Sequence, residues 1–200
     1  MPKVFSEQER TSILETLIEK GKELFSLHGL RKTNVEDLTQ AAGIAKGTFY
    51  AFFASKEDLC FAILEREEQF RDKLVNDILN QDKSAPEMLR DFLEGGLAFV
   101  EQNPLMIALQ KRNEMTILFR KLPKDRIQAH VERDERFVRR FVSELQERGG
   151  LVETKPEIIG GLLRSFFLLT LHKDEIGESL YPDVMRLYID VIVRGLTVES

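Results

Sequence analysis

Apolar positions recur at three- and four-residue spacing in one segment after another, which predicts an all-α fold of about nine helices. Ser6 with Glu9 reads as a capping box, a side-chain oxygen and a carboxylate satisfying each other's backbone amides. The helix it opens carries Ile13, Leu14, Leu17, Ile18, Leu24 and Phe25 to about His28, where Gly29 ends it and Leu30 folds back. Thr33 with Glu36 reads as a second box, opening a helix with Val35, Leu38, Ala41 and Ala42 on its inner side. Gly43 closes that helix, because a left-handed residue costs least without a side chain. Ile44 fills the corner, and another helix spans about 45–52 with Phe49 and Phe53 inward. Ser55 with Asp58 caps a fourth helix running to about Asn80.

Beyond the linker 81–87, Pro86 starts a fifth helix with Met88, Leu89, Phe92, Leu93, Leu97, Phe99 and Val100 inside. Asn103-Pro104 breaks it, and a sixth covers 104–111 and extends toward 119. Pro123 precedes a long polar-faced helix over 124–148, stopped by Gly149-Gly150. The segment 156–172 is apolar nearly all round and so needs cover on every side. A last helix spans about 180–197.

The composition is that of a soluble globular protein, with 42% hydrophobic and 32% charged residues. The start, MPKVFSEQER, is too polar for a signal peptide, and no apolar run approaches the ~18 residues of a membrane span. A single cysteine, Cys60, excludes an internal disulfide framework and suits a reducing compartment, so a cytoplasmic location is expected. The net charge of −5 does not advertise nucleic acid. Between residues 29 and 56 the sign reverses, because Arg31, Lys32, Lys46 and Lys56 face only Glu36 and Asp37.

A helix, a short Gly-containing turn and a second helix over about 33–52 make a helix-turn-helix, whose second helix can enter a major groove. The run from Gly43 through Leu59, GIAKGTFYAFFASKEDL, resembles the signature of the TetR family of bacterial transcriptional regulators. The residues that carry the likeness are Gly43, Ile44, Ala45, Lys46, Gly47, Thr48, Phe49, Tyr50, Phe53, Lys56, Glu57, Asp58 and Leu59. The likeness covers about the first 60 residues; the rest agrees in length and helical character. It implies a DNA-binding head over 1–56 and an effector-binding and dimerisation domain over 57–200.

Candidate DNA contacts follow from side-chain direction. Lys46, Gly47, Thr48, Tyr50 and Ala51 point outward if Phe49 and Phe53 point inward. Thr33 and Lys56 are expected as backbone clamps, with Arg31 and Lys32 beside them. Ala51 and Phe52 depart from the commoner family pattern, in which larger polar residues read bases or hold phosphate, and Ala45 lacks a capping hydroxyl. Taken singly, Tyr50 and Phe52 read equally as core aromatics, and Thr33, Ser55 and Lys56 as ordinary caps and a solvated charge; their joint spacing favours the DNA reading.

The resemblance further implies a small effector, expected to be largely apolar, and a dimer built from the last two long helices. Candidate effector residues are Phe92, Phe99, Met106, Asn113, Met115, Phe119, His130, Phe137, Arg164 and Phe167, although aromatic and Met positions at helical spacing are more often plain core. Candidate dimer residues are Gly160, Gly161, Leu168, His172, Val184, Leu187, Tyr188 and Val191. The functional expectation is a ligand-responsive repressor that binds a palindromic operator as a dimer, with an activator or a helical adaptor as alternatives. An enzyme is not expected: there is no His-Glu-x-x-His, no Glu-x-x-His and no Gly-rich phosphate loop, and neither cofactor nor metal is called for.

Overall fold

The computed structural model describes residues 5–198. In chain order the helices are α1 (Glu7–Lys32), α2 (Val35–Ala42), α3 (Lys46–Tyr50), α4 (Lys56–Glu67), α5 (Gln69–Leu79), α6 (Ala85–Gln102), α7 (Pro104–Lys111), α8 (Met115–Lys121), α9 (Lys124–Glu147), α10 (Pro156–Leu169), α11 (Lys173–Ile176) and α12 (Tyr181–Leu196). A 3-10 turn, Thr170–His172, joins α10 to α11. Among the described residues the one sheet-like feature is an isolated antiparallel bridge between Leu151 and Thr197.

Three expected helices are each divided. The fourth breaks at Glu68, because the run Glu65 to Gln69 has no apolar residue to carry a buried face across, and Glu67 is held by Lys22 at 2.9 Å and by the Asn103 amide at 2.8 Å. The sixth breaks at Arg112–Glu114, where Asn113 takes a left-handed conformation with φ 51°. The eighth, expected over 156–172, ends its α-helical path at Leu169, tightens into the 3-10 turn and restarts as α11.

The helices form two compact units. The first takes in the chain up to Gln69 together with Asn103–Pro123; the second takes in Phe70–Gln102 and the chain from Lys124 onward. The expected boundary after residue 56 falls inside the first unit, which also recruits the segment 103–123.

In the first unit α1 is the central strut, packed on α2, α4 and α7. Leu17, Phe25, Leu30, Leu38, Phe49, Leu59, Ile63, Leu105, Leu109 and Leu118 are buried in it. Gly21 brings α1 close to α4: a Cβ there would lie 2.9 Å from Ile63 Cδ1 and 3.0 Å from Leu59 Cδ2. The Ser6–Glu9 box forms as expected. Gly29 interrupts the helical path with φ 80° and ψ 171°, after which Leu30 to Lys32 make one more turn.

That interruption leaves amides and carbonyls to be satisfied. The turn between α7 and α8 supplies both partners. Arg112 donates to the carbonyl of His28, while the buried Glu114 carboxylate accepts from the amides of Leu30 at 2.5 Å and Arg31 at 3.1 Å. A side chain at Gly29 would be strained at φ 80° and would force the Arg112 side chain aside, since a Cβ would fall 2.6 Å from Arg112 Cδ.

In the second unit α6, α9, α10 and α12 enclose Met88, Leu89, Phe92, Leu93, Phe141, Leu145, Leu163, Phe166, Met185 and Ile189. The Phe92 and Phe141 rings lie 4.6 Å apart. Burial, with a smaller push from the Glu101 charge, raises the Tyr181 phenol to about 12. Within this one chain α10 is covered on only part of its surface. Ile159, Gly160, Leu163 and Phe166 are buried, whereas Ile158, Leu162 and Leu168 are exposed. Gly160 faces Val138 of α9, 3.1 Å from where its Cβ would be, and Tyr188 lies against Phe166, so both are occupied within their own unit. Gly161 has open space beside it. Leu187 and Val191 are 65% and 56% exposed, Val184 is exposed, and so is His172 beside Glu175.

Candidate nucleic-acid interface

The outward face of α3 is set by how the chain enters and leaves it. The cap of α2 is Asn34 and not Thr33: the Asn34 side chain accepts from the Asp37 amide, and the Asp37 carboxylate accepts from the Asn34 amide, each at 2.9 Å. Thr33 is 1% exposed, and its hydroxyl donates to the Gly29 carbonyl at 2.8 Å. It therefore closes the end of α1 internally, and its side chain offers nothing to a ligand. Gly43 ends α2 with φ 66°, and the Ile44 amide returns to the Thr39 carbonyl at 3.0 Å. These bonds aim the five residues of α3. Ala45 provides no side-chain cap, leaving the first amides of α3 without one.

Phe49 is fully buried and Phe53 nearly so, their rings 6.0 Å apart; they pin α3 to the unit. Tyr50 stands edge-on to Phe49 at 5.4 Å and is 51% exposed. Lys46, Gly47 and Ala51 are exposed, Thr48 is half-buried, and around Gly47 there is nothing within 4 Å of a built Cβ. A narrow, open and nearly smooth face results, with a phenol at one end and an ammonium at the other.

The ammonium of Lys46 is paired with Glu36 at the surface. That hydrogen bond holds the Glu36 carboxyl below its ordinary value and raises Lys46. Lys56 is corrected as an outward clamp. Its ammonium donates to the carbonyls of Leu30 at 2.7 Å and Thr33 at 2.6 Å, and so staples the α1–α2 connection. Arg31 and Lys32 are exposed. Phe52 is half-buried, and the Arg10 guanidinium lies 5.0 Å from its ring centroid.

Two buried groups support this face from behind. Glu57 is 6% exposed; burial alone would raise its carboxyl, but the Lys121 hydrogen bond at 2.7 Å, its own backbone amide and the charges of Lys121 and Lys56 together hold it below the ordinary value. Cys60 is fully buried, and burial, with the charges of Glu114 and Glu57, pushes its thiol far up, so that it behaves as a small apolar side chain.

Sequence reasoning does not find Asn34, Arg10, Arg112 or Glu114. Asn34 with Asp37 is open to detection as a cap pair. The others act across 42 to 85 positions of chain, where no local pattern exists.

The ten candidate effector residues do not gather in one unit. Met106, Asn113, Met115 and Phe119 belong to the first; Phe92, Phe99, His130, Phe137, Arg164 and Phe167 belong to the second. Asn113 is an exposed turn residue, and Arg164 meets Glu135 at 3.4 Å on the surface, so neither points into an interior.

Residues 17–63 match the model of the family described as bacterial regulatory proteins, tetR family. They span α2, the turn, α3 and most of α4, including every residue of the exposed face. The match covers 47 of the 200 residues and makes the helix-turn-helix segment similar to that of the tetR family. Two sequence relatives of this chain are informative. It is 29% identical over 104 residues to the nucleoid occlusion factor SlmA of Haemophilus ducreyi, spanning 52% of this chain and 50% of that protein. It is 33% identical over 81 residues to the transcriptional repressor DhaR of Mycobacterium sp., spanning 40% of each. The aligned stretch thus spans about half the length of these curated relatives, or less. The fold extends further. A TetR-family transcriptional regulator from Pectobacterium atrosepticum superimposes with a TM-score of 0.74 over 98% of this chain and 99% of its own, at 19% identity. Among the described residues no helix is long and apolar enough to cross a membrane.

Proposed function

We propose that this protein is a transcriptional repressor that binds a palindromic operator as a dimer, places α3 of each copy in the major groove, and is released by a small, largely apolar effector. The observation that carries the reading is the open face of Lys46, Gly47, Tyr50 and Ala51, backed by buried Phe49 and Phe53. A helix with so little side chain at Gly47 can bring its backbone close to base edges, while Lys46 and Tyr50 reach the flanking phosphates. The resemblance to the repressor DhaR favours repression over activation.

Support for a dimer is the apolar stripe on α10 and α12. Ile158, Leu162 and Leu168 recur along one helix, and Val184, Leu187 and Val191 along the other, all exposed. So many exposed apolar side chains favour an association site, and a two-fold pair would present its α3 helices about 34–36 Å apart, one DNA turn. Support for an apolar effector lies in the second unit. Phe70 stacks on Phe99 at 4.9 Å with both rings partly exposed, and Arg71 lies over the Phe137 ring with its Nε buried and unbonded among the described residues. An effector with an apolar body and one oxygen acceptor would satisfy that group.

Selection from a random-sequence duplex pool, followed by titration of the selected duplex, tests the DNA reading. Lys46→Ala and Tyr50→Ala should each weaken binding by tenfold or more, about 1.4 kcal/mol, with melting temperatures near that of the parent. Unchanged affinity in both would refute it. Leu187→Asp should convert the protein to a monomer in light scattering and abolish binding to the palindrome; a dimer that persists would refute the assigned interface.

A further inference from the structure

The basic side chains of the head do not all remain available to DNA. Between residues 5 and 60, Lys20 is paired with Glu23, Lys22 with Glu67 and Lys46 with Glu36, while Lys56 is turned onto carbonyls. Three cations in that stretch have no acid within ion-pair distance among the described residues: Arg31, Lys32 and Arg10. The first two flank the start of α2. Arg10 alone lies at the far end of α3, where its guanidinium rests over the ring of Phe52, two residues past Tyr50.

This placement is poor for the helix that carries it. Arg10 sits close to the N-terminus of α1, the end where acids are favoured and cations are not. Its backbone is fixed there, because the Ser6–Glu9 box starts the helix and the Arg10 amide donates to the Ser6 carbonyl at 2.9 Å. Its side chain is restrained as well. A guanidinium stacked on an aromatic face uses its flat side for the ring and keeps its edge of N–H donors free. That edge matches the two oxygens of a phosphodiester, and an arginine already held in place loses less entropy on binding one.

We propose that Arg10, held on Phe52, is a phosphodiester-binding residue at the C-terminal end of α3, and that Phe52 acts as its platform. The inference rests on the DNA-binding reading above. Once Lys46 exchanges its exposed partner Glu36 for a phosphate, it and Arg10 bracket the probe, and Ala51 between them leaves the approach clear. Phe52 positions the cation and makes no hydrogen bond of its own to DNA.

The test measures binding of the full chain to two duplexes, the selected one and one of arbitrary sequence, by fluorescence anisotropy across a salt series. A phosphate contact is blind to sequence, so Arg10→Gln should weaken both duplexes by the same factor. It should also make the slope of log K against log salt shallower by about 0.9 for every phosphate no longer neutralised. Arg10→Lys should keep most of that slope. Phe52→Leu should shrink the penalty of Arg10→Gln, because the cation is no longer held. Melting curves of all variants should coincide within a few degrees, which separates a contact from a folding defect. An unchanged salt slope in Arg10→Gln, while Lys46→Ala weakens binding, overturns the proposal and spares the DNA reading. Weakening confined to the selected duplex makes Arg10 a base reader and also overturns it. Absence of binding by the parent protein to either duplex at low salt overturns both.

Discussion

Glu57 illustrates how one side chain can hold the head together from within. Its carboxylate is buried, accepts from Lys121, and is depressed below the ordinary range. A group whose folded pKa lies below its unfolded value stabilises the fold above the unfolded pKa, and the contribution is lost as pH falls through the folded one. The window is therefore acidic, beginning near the ordinary carboxylate value of about 4.3 and extending below it. Glu57→Gln should be less stable than the parent at neutral pH, and its melting temperature should fall less steeply on acidification. A parallel fall in both proteins would show that Glu57 carries no such linkage. At this scale the sequence is partly legible. The residues of the α3 face can be named because the spacing of Phe49 and Phe53 dictates which way their neighbours point. Thr33, Lys56 and Arg10 are misjudged or missed because their partners are carbonyls and a ring remote in sequence, and residue type alone cannot tell a DNA clamp from an internal staple.

Among the elements, α1 does the most to place the others. At Gly21 it packs closely on α4, and the atoms that a side chain would meet are the flexible tips of Ile63 and Leu59. Gly21→Ala should be close to neutral, since a helix-propensity gain of up to about 1 kcal/mol offsets a small shift of those tips. Gly21→Val adds two more carbons to a filled space and should cost about 1–3 kcal/mol. Denaturant melts of the two variants check this; equal stability would mean that the α1–α4 seam can open without cost. The turn after α2 is readable because Gly43 has one cheap conformation to adopt. The breaks at Glu68 and Asn113 are not. The polar run Glu65–Gln69 is visible, but each break is fixed by a contact with a distant segment, Glu67 with Lys22 and Asn103 in one case, Glu114 with the end of α1 in the other.

At the scale of the whole molecule, the first unit is discontinuous in sequence. Its segment 103–123 supplies Leu105, Leu109 and Leu118 to the core, sets Phe119 against Phe61 at 6.1 Å, and brings Arg112, Glu114 and Lys121 to their partners. A fragment of residues 1–69 would expose that apolar surface and leave the amides after Gly29 without their carboxylate, a penalty of about 1–3 kcal/mol for each buried group left unpaired. Such a fragment should melt broadly and well below the full chain. A sharp transition at the parent's temperature would show that the segment is dispensable. Nothing in a linear reading marks 103–123 as part of the head, because its helices look like any others in the chain.

The seat that Arg112 and Glu114 occupy beside Gly29 constrains how such a gene can be reshuffled. A crossover anywhere between codons 70 and 102 would pair one parent's helix-turn-helix with the other's Arg112–Glu114 turn. Viable hybrids should therefore inherit Gly29 and that turn from the same ancestor, or from two whose turns are interchangeable, and any engineered graft of this reading head must transplant two separate blocks of sequence.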